Sequence, residues 1–185
     1  MIGCDCAVCT STNPKNRRNR PCALVTTDEK HTILIDTPQE FRIIAIERHL
    51  RHIDAVLYTH SHADHIYGLD DLRAFNYLQK SEIPLFAKSD VLRDLERSFE
   101  YCFVPTQAGG GKPKLILNEI APLQPLQLFD LNILPLCVQH GALPILAYKL
   151  GKNAAYVTDV SQIPDESFEH LLGLDLLFLD AVRYE

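Results

Sequence analysis

A chain of 185 residues with 46% hydrophobic and 23% charged residues can bury a real core, which excludes a disordered chain. Its net charge of −6 argues against a general polyanion binder. No apolar run approaches the roughly 18 residues of a membrane span, and no basic-then-apolar leader is visible, so a cytoplasmic protein is expected.

The first 22 residues hold Cys4, Cys6, Cys9 and Cys22 and a polar stretch rich in turn formers. Ala23–Thr27 and His31–Ile35 read as two strands joined by the turn Asp28-Glu29-Lys30. Thr37-Pro38-Gln39-Glu40 carries a capping-box pattern and predicts a helix start at Thr37, with Ile43, Ile46 and Leu50 on one face. Ile53–Tyr58 is apolar enough for a central strand. A helix near Asp70 places Leu72, Phe75 and Leu78 together, and Asp70 and Asp71 in its first turn suit its positive end. Ile83–Ala87 predicts a strand, 89–102 one helix, and Gln107–Pro113 a mobile glycine loop. Strands are then expected near Lys114–Ile120, Leu131–Val138, Ile145–Leu150, Ala154–Thr158 and Leu176–Leu179, with a helix at Asp165–Leu172 ending before Gly173. Strands interleaved with helices point to α+β or layered α/β, as one domain over 1–185.

Chemistry concentrates in Thr59-His60-Ser61-His62-Ala63-Asp64-His65, directly after the apolar strand. A turn there can aim His60 and His62 at one metal, with Asp64 and His65 facing a second. His140 and Asp159 also follow strands, and ligands delivered from strand ends make rigid metal sites. A lone histidine would read as a surface loop residue; this pattern reads as metal binding. His31, His49, His52 and His170 read as surface residues. Cys4, Cys6 and Cys9, packed within six residues, suggest a metal rather than disulfides. A redox dithiol is the other reading of Cys6-Ala7-Val8-Cys9, but loop formers follow it rather than a helix start. Cys22 is open as a local fourth ligand, although Cys22, Cys102 and Cys137 fit better as buried residues. Arg17, Arg18 and Arg20 read as a solvated loop, with phosphate contact the second reading.

THSHADH (59–65), His140 in CVQHG and Asp159 in YVTDVS together resemble the metallo-β-lactamase superfamily. The resemblance implies a four-layer αββα sandwich with a two-metal site at one edge. By it, His60, His62 and His140 bind the first metal, Asp64 and His65 the second, and Asp159 bridges the two. The cysteines, GLDDLR (68–73) and LLFLDAVRYE (176–185) are similar to the phosphoribosyl 1,2-cyclic phosphate phosphodiesterase group, in which such cysteines form an extra structural zinc site. In that group a histidine beyond the last strand completes the second metal site, another completes the zinc site, and a strand and a Gly-Thr-Gly loop precede the cysteines. Residues 1–185 hold none of these at those places, so a member trimmed at both ends is expected, binding about one tight catalytic metal.

The function read from this is a two-metal hydrolase of a small or cyclic phosphodiester, with Asp64 and Asp159 orienting the attacking water. Zn2+ suits the cysteines and the imidazole-rich site; Mn2+ or Fe2+ suits a more oxygen-rich second site. A small-molecule partner is expected, a homodimer is left open, and no membrane is expected. Nucleic acid fits poorly for lack of a large basic surface, which weakens a tRNA 3′-end nuclease. Thioester hydrolase, lactamase and a non-hydrolytic protein similar to the pyrroloquinoline quinone synthesis proteins share the scaffold.

Overall fold

The computed structural model describes residues 2–105 and 111–180. Two five-stranded sheets face each other. The first runs β1 (Ala23–Thr26), β2 (Thr32–Ile35), β3 (Ala55–Leu57), β4 (Ile83–Ala87) and β5 (Leu115–Glu119). β1 pairs antiparallel with β2, and β2 through β5 are parallel neighbours. Each parallel step requires a crossover, and the helices supply it. These are α1 (Phe41–Glu47), then α2 (Ala63–Ile66) and α3 (Leu72–Gln79), then α4 (Ser89–Ser98) and α5 (Glu100–Phe103). The second sheet has the order β10-β9-β8-β7-β6, from β6 (Leu126–Leu128), β7 (Leu131–His140), β8 (Leu143–Leu150), β9 (Ala154–Val157) and β10 (Leu176–Leu179). It is antiparallel from β6 to β9, and β10 joins β9 in parallel. α6 (Asp165–Phe168) and a short 3-10 turn lie between β9 and β10.

Strand alternation explains the layering. In β2 and β3, Leu34 and Val56 point to one face, while Ile33, Ile35, Ala55 and Leu57 point to the other. The first face packs on Phe41, Leu72, Phe75, Val91 and Leu95 of the helices. The second meets Ile133, Leu146 and Tyr148 across the gap between the sheets. Leu136, Val138, Ala147 and Val157 form a third cluster with Leu171 beneath the α6 segment. Three apolar interfaces separate four layers, as αββα.

Several local expectations differ. α1 starts at Phe41 after an N-cap Glu40 that makes no side-chain cap bond. Thr37 does not cap it: its hydroxyl meets Tyr58 Oη at 2.9 Å and its N–H binds His65 O at 2.7 Å. Tertiary hydrogen bonds have taken the residue that the local pattern assigned to the helix. Ile43 and Ile46 are exposed; Phe41, Ala45 and Leu50 carry the packing. Leu78 is exposed also, unlike Leu72 and Phe75. The expected helix over 89–102 breaks at Phe99, whose φ of −124° and ψ of 39° lie outside the helical region. The helix expected at Asp165–Leu172 is α6 plus a 3-10 turn, Glu169–Leu171. β6 is not expected from the sequence, because three residues carry too little pattern to recognise. Of the glycine loop, 107–110 lie outside the described residues, as do 181–185 of the terminal motif. Among the described residues no helix is long and apolar enough to cross a membrane.

Candidate metal centre

Four strands release their chains at the same edge of the sandwich. β2 leads directly to Asp36, β3 leads through Tyr58 and Thr59 to His60, β7 ends at His140, and β9 leads to Asp159. Asp36 and Asp159 take φ of 61° and 50°. These left-handed turns suit short polar side chains and cost a branched residue more. Two hydrogen bonds join the sheets here: Leu146 N–H to Thr59 O at 3.0 Å, and Tyr148 O–H to Tyr58 O at 2.6 Å. His62 then precedes α2, which carries Asp64 and His65.

Two donor groups result. Ring nitrogens of His60, His62 and His140 lie within 4.8 Å of one another, and so do donor atoms of His60, His65 and Asp159. Asp159 Oδ2 is 2.8 Å from His65 Nε2 and 3.6 Å from Nε2 of His60, the residue the two groups share. Asp64 stands at the rim: its half-exposed carboxylate is 4.0 Å from His65 Nε2 and belongs to neither group. The sequence-predicted residues therefore meet at one place, five tightly and Asp64 at the edge.

A residue that the motif does not include orders the rest. Asp36 is fully buried. It accepts from Thr59 N–H at 2.8 Å and Thr59 Oγ1 at 2.8 Å, and from His65 Nδ1 at 2.8 Å. Because the Thr59 hydroxyl gives its proton to Asp36, its oxygen can only accept from His60 Nδ1, 3.0 Å away. One carboxylate thus puts the proton on Nδ1 of both His60 and His65 and leaves both Nε2 atoms as donors to a metal. The one signal for it in the sequence is an aspartate directly after the apolar strand Ile33-Leu34-Ile35.

The donor chemistry fits a cation. His60 Nε2 faces His62 Nδ1 at 3.0 Å, and two lone pairs at that distance need a proton or a metal between them. Burial, with the neighbouring histidines, lowers His60 to about 3, so it stays neutral and ligand-ready. Burial opposes charge on His65 too, but Asp159 and Asp36 outweigh it and hold the ring up to about 10. Burial likewise opposes charge on Asp159, yet the His65 bond wins and holds it at about 2. The pocket therefore carries positive charge against its two carboxylates even as a bare protein. A divalent cation would replace that proton.

At the N-terminal end, Cys4, Cys6 and Cys9 bring their sulfurs within 4.8 Å of one another. Cys9 N–H points at Cys6 Sγ, 3.4 Å away, and with the other thiols it lowers Cys6 to about 7. Turns rather than a helix start follow directly on Cys6, which suits a metal knuckle better than a redox dithiol. Cys22 is not part of the cluster among the described residues; burial pushes its thiol up to about 11. Arg20 is neutralised by its pair with Glu40, and Arg18 folds back on backbone carbonyls of its own loop.

A family model described as a beta-lactamase superfamily domain matches residues 31–185. A crystal structure of a diphosphatase from the PhnP family is 42% identical, with a TM-score of 0.88, over 100% of this chain and 68% of that one. Zn2+-bound PqqB from Methylobacterium extorquens is 19% identical, with a TM-score of 0.71, over 97% of this chain and 67% of that one, a likeness of fold alone. An octanoyltransferase of Porphyromonas gingivalis is 39% identical over 183 residues, 99% of this chain. The chain spans only 36% of that curated relative's length. With its two mixed sheets and the edge of histidines and aspartates between them, the chain belongs to the metallo-β-lactamase superfamily and, within it, to the group of the phosphoribosyl cyclic phosphate phosphodiesterase PhnP.

Proposed function

We propose that the chain is a metal-dependent hydrolase of small or cyclic phosphodiesters. The observation that carries this is the pair of donor groups that share His60, with Asp159 close to both His60 and His65. His60, His62 and His140 would hold one ion; His65, Asp159 and the rim residue Asp64 would hold a second. Zinc suits the imidazoles, and manganese or iron suits the oxygen-richer side. Paired metals supply Lewis acidity to phosphoryl oxygens and acidify water near neutral pH.

The chain's own residues do the rest. Asp36 fixes the imidazole tautomers through Thr59 and His65. Asp159 and Asp64 are the carboxylates that would orient the attacking water, one largely shielded and one half-exposed. The three cysteines would hold a structural zinc.

The experiment is turnover of bis(p-nitrophenyl) phosphate and of a ribosyl cyclic phosphate by protein loaded with zinc or manganese. Activity that chelator removes and metal restores supports the reading; a fully loaded protein that cleaves neither overturns it. A phosphoanhydride substrate is the second reading, favoured by the 42% identical PhnP-family diphosphatase. The octanoyltransferase name is that of a protein of which the matched segment is about a third. An octanoyl thioester in the same assay separates acyl from phosphoryl chemistry.

A further inference from the structure

We infer that a second concavity, distinct from the metal centre, binds a nucleoside polyphosphate. It lies where the C-terminal part of α3 faces the approach to β5. Its volume is about 590 Å3, and Arg73, Tyr77, Lys80, Lys112 and Lys114 line it. Among the described residues that line it there is no carboxylate. Four cations around one hollow are a local reversal in a chain whose net charge is −6. Among the described residues the Lys and Arg ion pairs leave out Lys80, Lys112 and Lys114, while Arg73 is 3.8 Å from Asp70.

A structural account covers part of this. Lys80 caps the C-terminus of α3, where positive charge opposes the helix dipole. Lys112 donates to Val104 O, and Arg73 Nη1 to Gly111 O at 2.7 Å. Those bonds fix two cations on the wall without neutralising them, and neither explains the exposed Lys114. Unpaired cations in a concave site raise the local concentration of anions. The hollow is of the size of a small-ligand site, roughly 300–1,000 Å3. Tyr77 gives the class of ligand. It is 84% exposed beside the lysines, a ring free to stack on a base while the cations take the phosphates.

The test is calorimetric titration of the full chain with ATP and, separately, with inorganic tripolyphosphate. Both are run in chelator on the His62→Ala variant, so that phosphate binding at a loaded metal centre is not counted. The outcome is therefore independent of the proposed activity. One ATP per chain is expected, weakening with salt, and tripolyphosphate should bind several-fold more weakly. Lys80→Glu with Lys114→Glu should weaken both about tenfold or more. Both positions are exposed, so circular dichroism should show an unchanged fold. Tyr77→Ala should weaken ATP and leave tripolyphosphate unchanged. Absence of saturable ATP binding at millimolar concentration would overturn the site, as would binding indifferent to the lysine reversals. Equal loss of ATP and tripolyphosphate on Tyr77→Ala would overturn the nucleoside part.

Discussion

The histidine centre and the cysteine loop are both assembled from groups of three donors, yet they are built in opposite ways. The histidines arrive from distant parts of the chain, on strand ends and on the short helix α2, and Asp36 holds two of them from a fully buried position. The cysteines lie within six residues on a largely exposed loop, held locally by backbone turns, by the Thr10 hydroxyl on Cys6 O and by contacts to Cys6 Sγ. The first is preorganised by the fold and its cost is met in folding. The second is organised by its own short loop, so a bound metal would contribute much of its order.

Breaking the shared histidine should separate the two most. His60→Ala removes a donor from both groups, so catalytic metal should fall to background by elemental analysis, with phosphodiesterase turnover down on the order of 1,000-fold or more. Zinc at the cysteines should persist in the same sample. Asp36→Asn is subtler. Its amide presents a donor where Thr59 and His65 both need an acceptor, disturbing two tautomers at once. Metal affinity by chelator competition should drop about 10–100-fold, although no ligand has changed. Gly68→Ala tests how firmly the fold presses the loop in place. A Cβ there would lie 2.3 Å from Pro38 O and 2.8 Å from Phe41 Cβ, so the chain must shift. Urea unfolding should report a loss of about 1–3 kcal/mol. Cys6→Ser should have the smallest effect on the scaffold. One zinc is lost, the melting temperature stays within about 3 °C, and the histidine centre retains its metal. A collapse of the whole fold on Cys6→Ser would erase the distinction between the two sites.

The two sites also differ in how plainly the amino-acid sequence announces them. The three cysteines stand together in one short run and need no folding to be seen as a cluster. His60, His62 and His65 stand out because they crowd one turn after an apolar strand, and His140 and Asp159 because each follows a strand of its own. Asp36 follows a strand too, but it stands alone, and its role needs Thr59 and His65 beside it, brought from 23 and 29 residues away. Thr37 misleads for a related reason: a capping pattern is local, whereas its hydroxyl is taken by Tyr58. The apolar run Ile33, Leu34 and Ile35 marks the sheet core plainly. On α1 the same kind of reading chooses Ile43 and Ile46, which are exposed, since seven residues offer barely two turns from which to judge a face. The break at Phe99 has no glycine or proline to mark it.

The two sheets are each continuous in sequence, residues 23–119 and then 126–179. His60, His62 and His65 belong to the first stretch, and His140 and Asp159 to the second. Neither stretch holds a complete donor group on its own. The chain can therefore be thought of as two complementary half-molecules, cut between Ile120 and Leu126, whose reunion would create the centre anew. If the halves are expressed apart, zinc should raise their affinity for one another, and the appearance of metal-dependent turnover would then count assembled molecules directly, as in a split reporter.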